Sequence, residues 1–122
     1  MDSIRRSLIT LLAALSVIAS SFRCRPCSCE IRDKGRAFCS GKGLSGLPSF
    51  IPAVARRMNV IGLQRNHLTT VNTTALLLQF PSLQVLDLSS QRSGACVSLL
   101  PPPPTTLTVR GKGESLLLKL HE

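Results

Sequence analysis

The chain contains neither tryptophan nor tyrosine, and aromatic residues make up 3% of it. Surfaces that bind single-stranded nucleic acid stack bases on aromatic rings set among cations, so that class of function is argued against and no nucleic-acid partner is expected. Histidine is scarce as well, with only His67 and His121 present. His67 adjoins Asn66 in a turn-like stretch and His121 is near the C-terminus, so neither completes a Ser-His-Asp or Cys-His set. Asp87 has no second carboxylate near it in the sequence for acid–base work. The chain is therefore expected not to be an enzyme and to need neither cofactor nor metal. Beyond residue 21 there is no apolar run of membrane-spanning length; the longest, at 75–78 and 116–118, are four and three residues. No transmembrane segment is expected in the mature chain.

Acidic side chains are few, six against fifteen Lys and Arg, giving a net charge of +9. The cations are dispersed (Arg23, Arg25, Arg32, Lys34, Arg36, Lys42, Arg56, Arg57, Arg65, Arg92) with no block of like charge. Such a balance gives a solvated basic surface with general affinity for polyanions.

The first residues have the layout of a secretory signal peptide. Arg5 and Arg6 make a basic start, residues 8–19 are apolar, and Ala19-Ser20-Ser21 offers a small-x-small cleavage site. Twelve apolar positions are too few to cross about 30 Å of hydrocarbon at 1.5 Å per residue. Cleavage of 1–21 removes Asp2, Arg5 and Arg6 and leaves +8. A secreted or extracellular location follows, with cell-surface retention only through a partner. In that oxidising compartment, Cys24-x2-Cys27-x-Cys29-x9-Cys39 reads as two disulfides, whereas in a cytosolic protein the same spacing could hold zinc. The spacing alone leaves three pairings open. Cys96 is the odd one out, read as a buried thiol or as a half-cystine whose partner is on another chain.

Residues 28–32 and 36–40 are expected to form two strands joined by Asp33-Lys34-Gly35, with the glycine available for positive φ. A compact loop follows, in which Pro48 and Pro52 preclude a continuous helix. Downstream, Met58-x-x-Ile61-x-Leu63-x-x-Asn66-x-Leu68-x-x-Val71 recurs 25 residues later as Leu83-x-x-Leu86-x-Leu88-x-x-Gln91. The period-2 alternation of Ile61 with Leu63 and of Leu86 with Leu88 predicts two short strands. The amides of Asn66 and Gln91 are placed to bond the backbone of adjoining turns. Residues 73–80 are expected to form a short helix or 3₁₀ segment ended by Pro81. A third strand reads as Leu107-Thr108-Val109, 21 residues beyond Leu86 and Leu88, after the prolines at 101–104.

Together, the cysteine spacing, Leu44-x-x-Leu47-Pro48-x-x-Ile51-Pro52 and the two repeats resemble the cysteine-rich N-terminal cap and first repeats of extracellular leucine-rich-repeat proteins. The resemblance covers about residues 23–95. It implies an α/β repeat fold: a short solenoid with parallel strands on its concave face and a disulfide-bonded cap. The pairs it implies are Cys24–Cys29 and Cys27–Cys39. The organisation expected is signal peptide 1–21, cap 22–57, two repeats 58–96, and a Pro-rich tail or partial third repeat 97–122. With so few repeats and no C-terminal cysteine cluster, the chain reads either as a truncated form of a larger receptor or matrix protein or as a minimal module that associates with another molecule.

On that fold the residues between the buried ones face outward: Val60, Gly62, Gln64 and Arg65, then Val85, Asp87, Ser89 and Ser90. The function expected of them is binding an extracellular protein ligand or receptor. Two strands, however, expose little against the roughly 800 Å² per partner of a standard interface. Asn72-Thr73-Thr74 is a glycosylation sequon. The alternative function is binding of glycosaminoglycans or anionic membranes by charge.

Overall fold

The computed structural model describes residues 24–92, 94 and 96–111. The signal peptide expected at 1–21 and residues 112–122 of the expected tail lie outside the described residues.

The hairpin forms as expected: Ser28–Ile31 (β1) pairs antiparallel with Gly35–Phe38 (β2), placing Cys29 opposite Ala37. Gly35 serves a different purpose from the one its place in the turn suggested. It is the first residue of β2, it is buried, and a Cβ on it would overlap the Arg57 carbonyl oxygen. Close backbone approach, not positive φ, is what requires glycine there. The left-handed conformations fall instead on Gly41 and Gly43, at φ 64° and 70°.

Pro52–Ala55 forms a one-turn helix, α1, opened by its proline, whose fixed φ and missing N–H suit a first helical turn. The chain continues through Met58–Gly62 (β3), Thr70–Asn72 (β4), Thr73–Gln79 (α2), Val85–Asp87 (β5), Ser98–Leu100 (β6) and Thr108–Arg110 (β7). α2 is the helix expected over 73–80. Asn72 caps it by accepting from the Ala75 N–H at 3.0 Å, and Phe80, kept out of the helical region by the following proline, ends it at φ −120° and ψ 72°.

Two sheets result, a five-stranded one in the order β1-β2-β3-β5-β7 and a two-stranded one from β4 and β6. Every pair but β1–β2 is parallel. The molecule is thus a small α/β structure with a mostly parallel mixed sheet, few helices and two disulfides. Across the larger sheet one row runs Cys29, Ala37, Ile61, Leu86, Val109 and turns inward. Ile61 and Leu86 are fully buried there with Leu63, Leu68, Val71, Leu76 and Phe80, each residue of that size contributing about 1.5–3 kcal/mol by leaving water. Phe80 meets Phe50 edge-on, with ring centroids 5.5 Å apart.

The disulfides are Cys24–Cys29 and Cys27–Cys39, spanning Cα separations of 6.3 and 4.5 Å. These are the pairs the family resemblance implied, and with all four thiols oxidised the zinc alternative falls. Loop-closure entropy puts their contributions at about 2 and about 3 kcal/mol.

Two sequence expectations are corrected. Of the two readings of Cys96, the buried thiol is overturned: the cysteine, 25 residues beyond Val71, is free and exposed, and Val71 is instead registered with Leu99. Ile61 precedes Val71 by ten residues whereas Leu86 precedes Leu99 by thirteen, so three additional residues between β5 and β6 displace the cysteine. The third strand exists but is shifted by two: Val109, not Leu107, pairs with Leu86.

Candidate functional site

Asn66 fixes the turn that ends β3. Its side chain is fully buried, and its Oδ1 accepts from the Lys42 and Leu44 N–H groups, both at 3.0 Å. Its Nδ2 donates to the carbonyls of Cys39, Leu63 and Gln64 at 2.8, 3.0 and 3.1 Å. Gln91 repeats the arrangement one turn along: Nε2 donates to Leu63 and Leu88 at 2.8 and 3.1 Å, and Oε1 accepts from the Leu68 N–H at 3.0 Å. The Leu63 carbonyl therefore accepts from both amides, which ties consecutive turns together. Arg65 and Ser90, one position before each amide-bearing residue, share a left-handed backbone at φ 56° and 58°.

These turns hold the outward face of the five-stranded sheet. Its first row is Glu30, Arg36, Val60, Val85, Thr108, and its second is Ser28, Phe38, Gly62, Asp87, Arg110. Gln64 donates from Nε2 to Asp87 Oδ2 at 3.0 Å. Asp87 Oδ1 accepts from the Ser89 N–H at 3.0 Å and the Ser89 hydroxyl at 2.7 Å. Gln64, Asp87 and Ser89 thus form one fixed polar group in the middle of the face. Beside it lies an open depression of about 350 Å³ lined by Phe38, Ser40, Gln64, Arg65, Ser89 and Ser90.

The structure therefore gathers Val60, Gln64, Arg65, Val85, Asp87 and Ser89 on one side, in part or fully exposed. Gly62 is the exception. It stands in the outward row but is buried, because the Gln64 side chain folds over it; a Cβ there would lie 2.7 Å from Gln64 Oε1. Sequence reasoning missed Arg36, Phe38 and Ser40 of the hairpin and Arg110 of β7. The alternation of buried Gly35, Ala37 and Cys39 with exposed Arg36, Phe38 and Ser40 carried the signal. A phenylalanine beside disulfide cysteines invites an inward placement, yet Phe38 is 48% exposed.

Asn72 is exposed at the end of β4, and β6 places Leu100, itself 64% exposed, directly beside it. Among the described residues no group of three His, Cys, Asp or Glu could hold a metal ion, and no helix is long and apolar enough to cross a membrane. No family model matches the chain, and neither a curated protein nor a solved structure does.

Proposed function

We propose that this chain is a secreted leucine-rich-repeat module, opened by a disulfide-bonded cap, that binds an extracellular protein through the outward face of its five-stranded sheet without catalysing a reaction. The observation that carries the binding reading is the combination on that face of a hydrogen-bonded polar centre, Gln64–Asp87–Ser89, with an exposed aromatic ring, Phe38. An apolar anchor next to preorganised polar groups on rigid strands is what interfaces use for affinity and orientation. The repeat reading is supported by the register of Ile61 with Leu86 and by the matched amide bonds of Asn66 and Gln91. Two disulfides and the absence of a spanning helix among the described residues agree with an extracellular location.

The size of the face sets the strength of binding. Five strands about 4.8 Å apart and four residues at about 3.3 Å each give a patch of roughly 24 by 13 Å. That is well under the about 800 Å² per partner of a stable complex, so the partner offers a loop or strand and the affinity is that of a transient contact. The N-glycan expected at Asn72 would attach through Nδ2, leaving Oδ1 to cap α2, so cap and glycan do not compete.

The test displays the secreted chain as a multimer, which converts weak contacts into measurable avidity, against a panel of extracellular domains. A partner lost on Asp87→Lys and on Phe38→Ala, with the circular dichroism spectrum unchanged, is the expected result. Absence of any partner, or one indifferent to both substitutions, overturns the proposal.

A further inference from the structure

The cations that are dispersed in the sequence are not dispersed in the fold. Gly35 is registered with Met58, its N–H donates to Asn59 Oδ1 at 3.1 Å, and its α-carbon is pressed against the Arg57 carbonyl. Lys34 and Arg36 flank Gly35, while Arg57 immediately precedes Met58, so the backbone contact draws these three together where β2 and β3 begin; Arg56 lines a different depression, with Phe50, Pro52 and Leu78. Arg32 joins them from the hairpin turn. An open depression of about 410 Å³ is lined by Glu30, Arg32, Asp33, Lys34 and Arg36. With Arg57 that makes four exposed cations against two carboxylates, Glu30 and Asp33, and gives this small region +2.

We infer that this edge is a binding site for a sulfated polysaccharide; it meets the outward face proposed to bind protein at Glu30 and Arg36, while its other cations, Arg32, Lys34 and Arg57, stand in neither row of that face. What decides among polyanions is what the site lacks. The exposed large apolar side chains are Phe38, Ile51, Leu78 and Leu100, and none falls within 30–36 or 56–58. A protein partner draws most of its affinity from an apolar or aromatic anchor, which this edge does not offer. A linear polymer carrying a sulfate every few ångströms needs only spaced donors, and guanidinium groups meet such oxyanions with two parallel hydrogen bonds. Three of the four cations are arginine.

The experiment compares charge-matched variants of the secreted chain on an immobilised heparin octasaccharide at 150 mM salt. Lys34→Gln with Arg57→Gln removes two charges from the edge; Lys42→Gln with Arg92→Gln removes two from elsewhere, all four side chains being exposed. The edge variant is expected to bind at least tenfold more weakly and the other within twofold of the parent, with binding by the parent falling as salt rises. Equal losses in the two variants would mean that net charge alone is responsible and would overturn the site. So would no binding by the parent, or equally tight binding to polyglutamate or to phosphatidylserine vesicles. Arg36 is left intact because it also lies on the outward face. Failure here and failure of the protein-binding proposal are therefore read from different substitutions.

Discussion

Replacing Asn66 with alanine should be among the costliest single changes in the chain. The buried side chain bonds the Lys42 and Leu44 N–H groups and the carbonyls of Cys39, Leu63 and Gln64. Alanine strands two N–H donors, partly buried, each costing about 1–3 kcal/mol when it loses its partner. Water entering the vacated space recovers some of this, and the net loss is about 4 kcal/mol. Each kcal/mol moves the melting temperature of a domain this size by about 4–8 °C, so the midpoint falls by roughly 20 °C. Without Trp or Tyr there is no useful intrinsic fluorescence, and unfolding is followed by far-UV circular dichroism with the disulfides intact. The internal reference, in protein made without glycosylation, is Asn72→Ala, which deletes one exposed helix cap worth about 1 kcal/mol. An Asn66→Ala loss no larger than that of Asn72→Ala would refute the reasoning. Asn66→Asp refines it. The introduced carboxyl keeps both acceptor bonds but faces three carbonyl oxygens with no donor, so burial and those oxygens raise its folded-state pKa above the unfolded value of about 3.9. Its stability relative to the parent is then greatest below about pH 4 and declines as pH rises through the raised pKa. A difference independent of pH would count against the assigned donor and acceptor pattern.

Gly35→Ala should push β2 from β3 and lower the melting temperature by more than 10 °C, because the added methyl meets backbone at Arg57. Gly62→Ala meets only the end of the Gln64 side chain and should cost about 1 kcal/mol or less, yet weaken partner binding by displacing Gln64 from Asp87; thermal melts of both variants separate the two cases. Phe80→Ala, which empties the centre of the core against Phe50, should cost about 3–5 kcal/mol in urea unfolding. Cys96→Ser should leave stability within about 0.5 kcal/mol; on air oxidation the parent should form a disulfide-linked dimer on a non-reducing gel and the variant should not.

What the sequence made legible is what local physics repeats. The alternation at Ile61 and Leu63, and again at Leu86 and Leu88, identified strands that do lie side by side, and the spacing to Asn66 and Gln91 identified amides that do bond neighbouring turns. The helix expected over 73–80 was legible from Pro81, which ends it, and forms over Thr73–Gln79; its Asn72 cap was not read from the sequence. What stayed hidden depended on loop length. The β4–β6 sheet comprises two three-residue strands without an alternating pattern, and its register was obscured by the additional residues before Leu99. The third strand was misplaced by two because Leu107 and Val109 are both apolar, and only pairing with Leu86 chooses between them. On the candidate face, Asp87 and its neighbours on β3 and β5 were foreseen from alternation. Arg36 and Phe38 were not, because membership of the sheet extends into the disulfide-bonded hairpin.

The strand order β1-β2-β3-β5-β7 is also the order of synthesis. A chain emerging at about 5–20 residues per second presents its N-terminal elements first, and no strand of this sheet must wait for a later one to fill a gap. Once Cys39 has emerged, the hairpin can be locked covalently, and β3 then has a fixed edge to join. β5 and β7 follow on the edge their predecessor has just provided. Such a sheet can assemble as the chain enters an oxidising compartment, with oxidation of four early cysteines as its starting event.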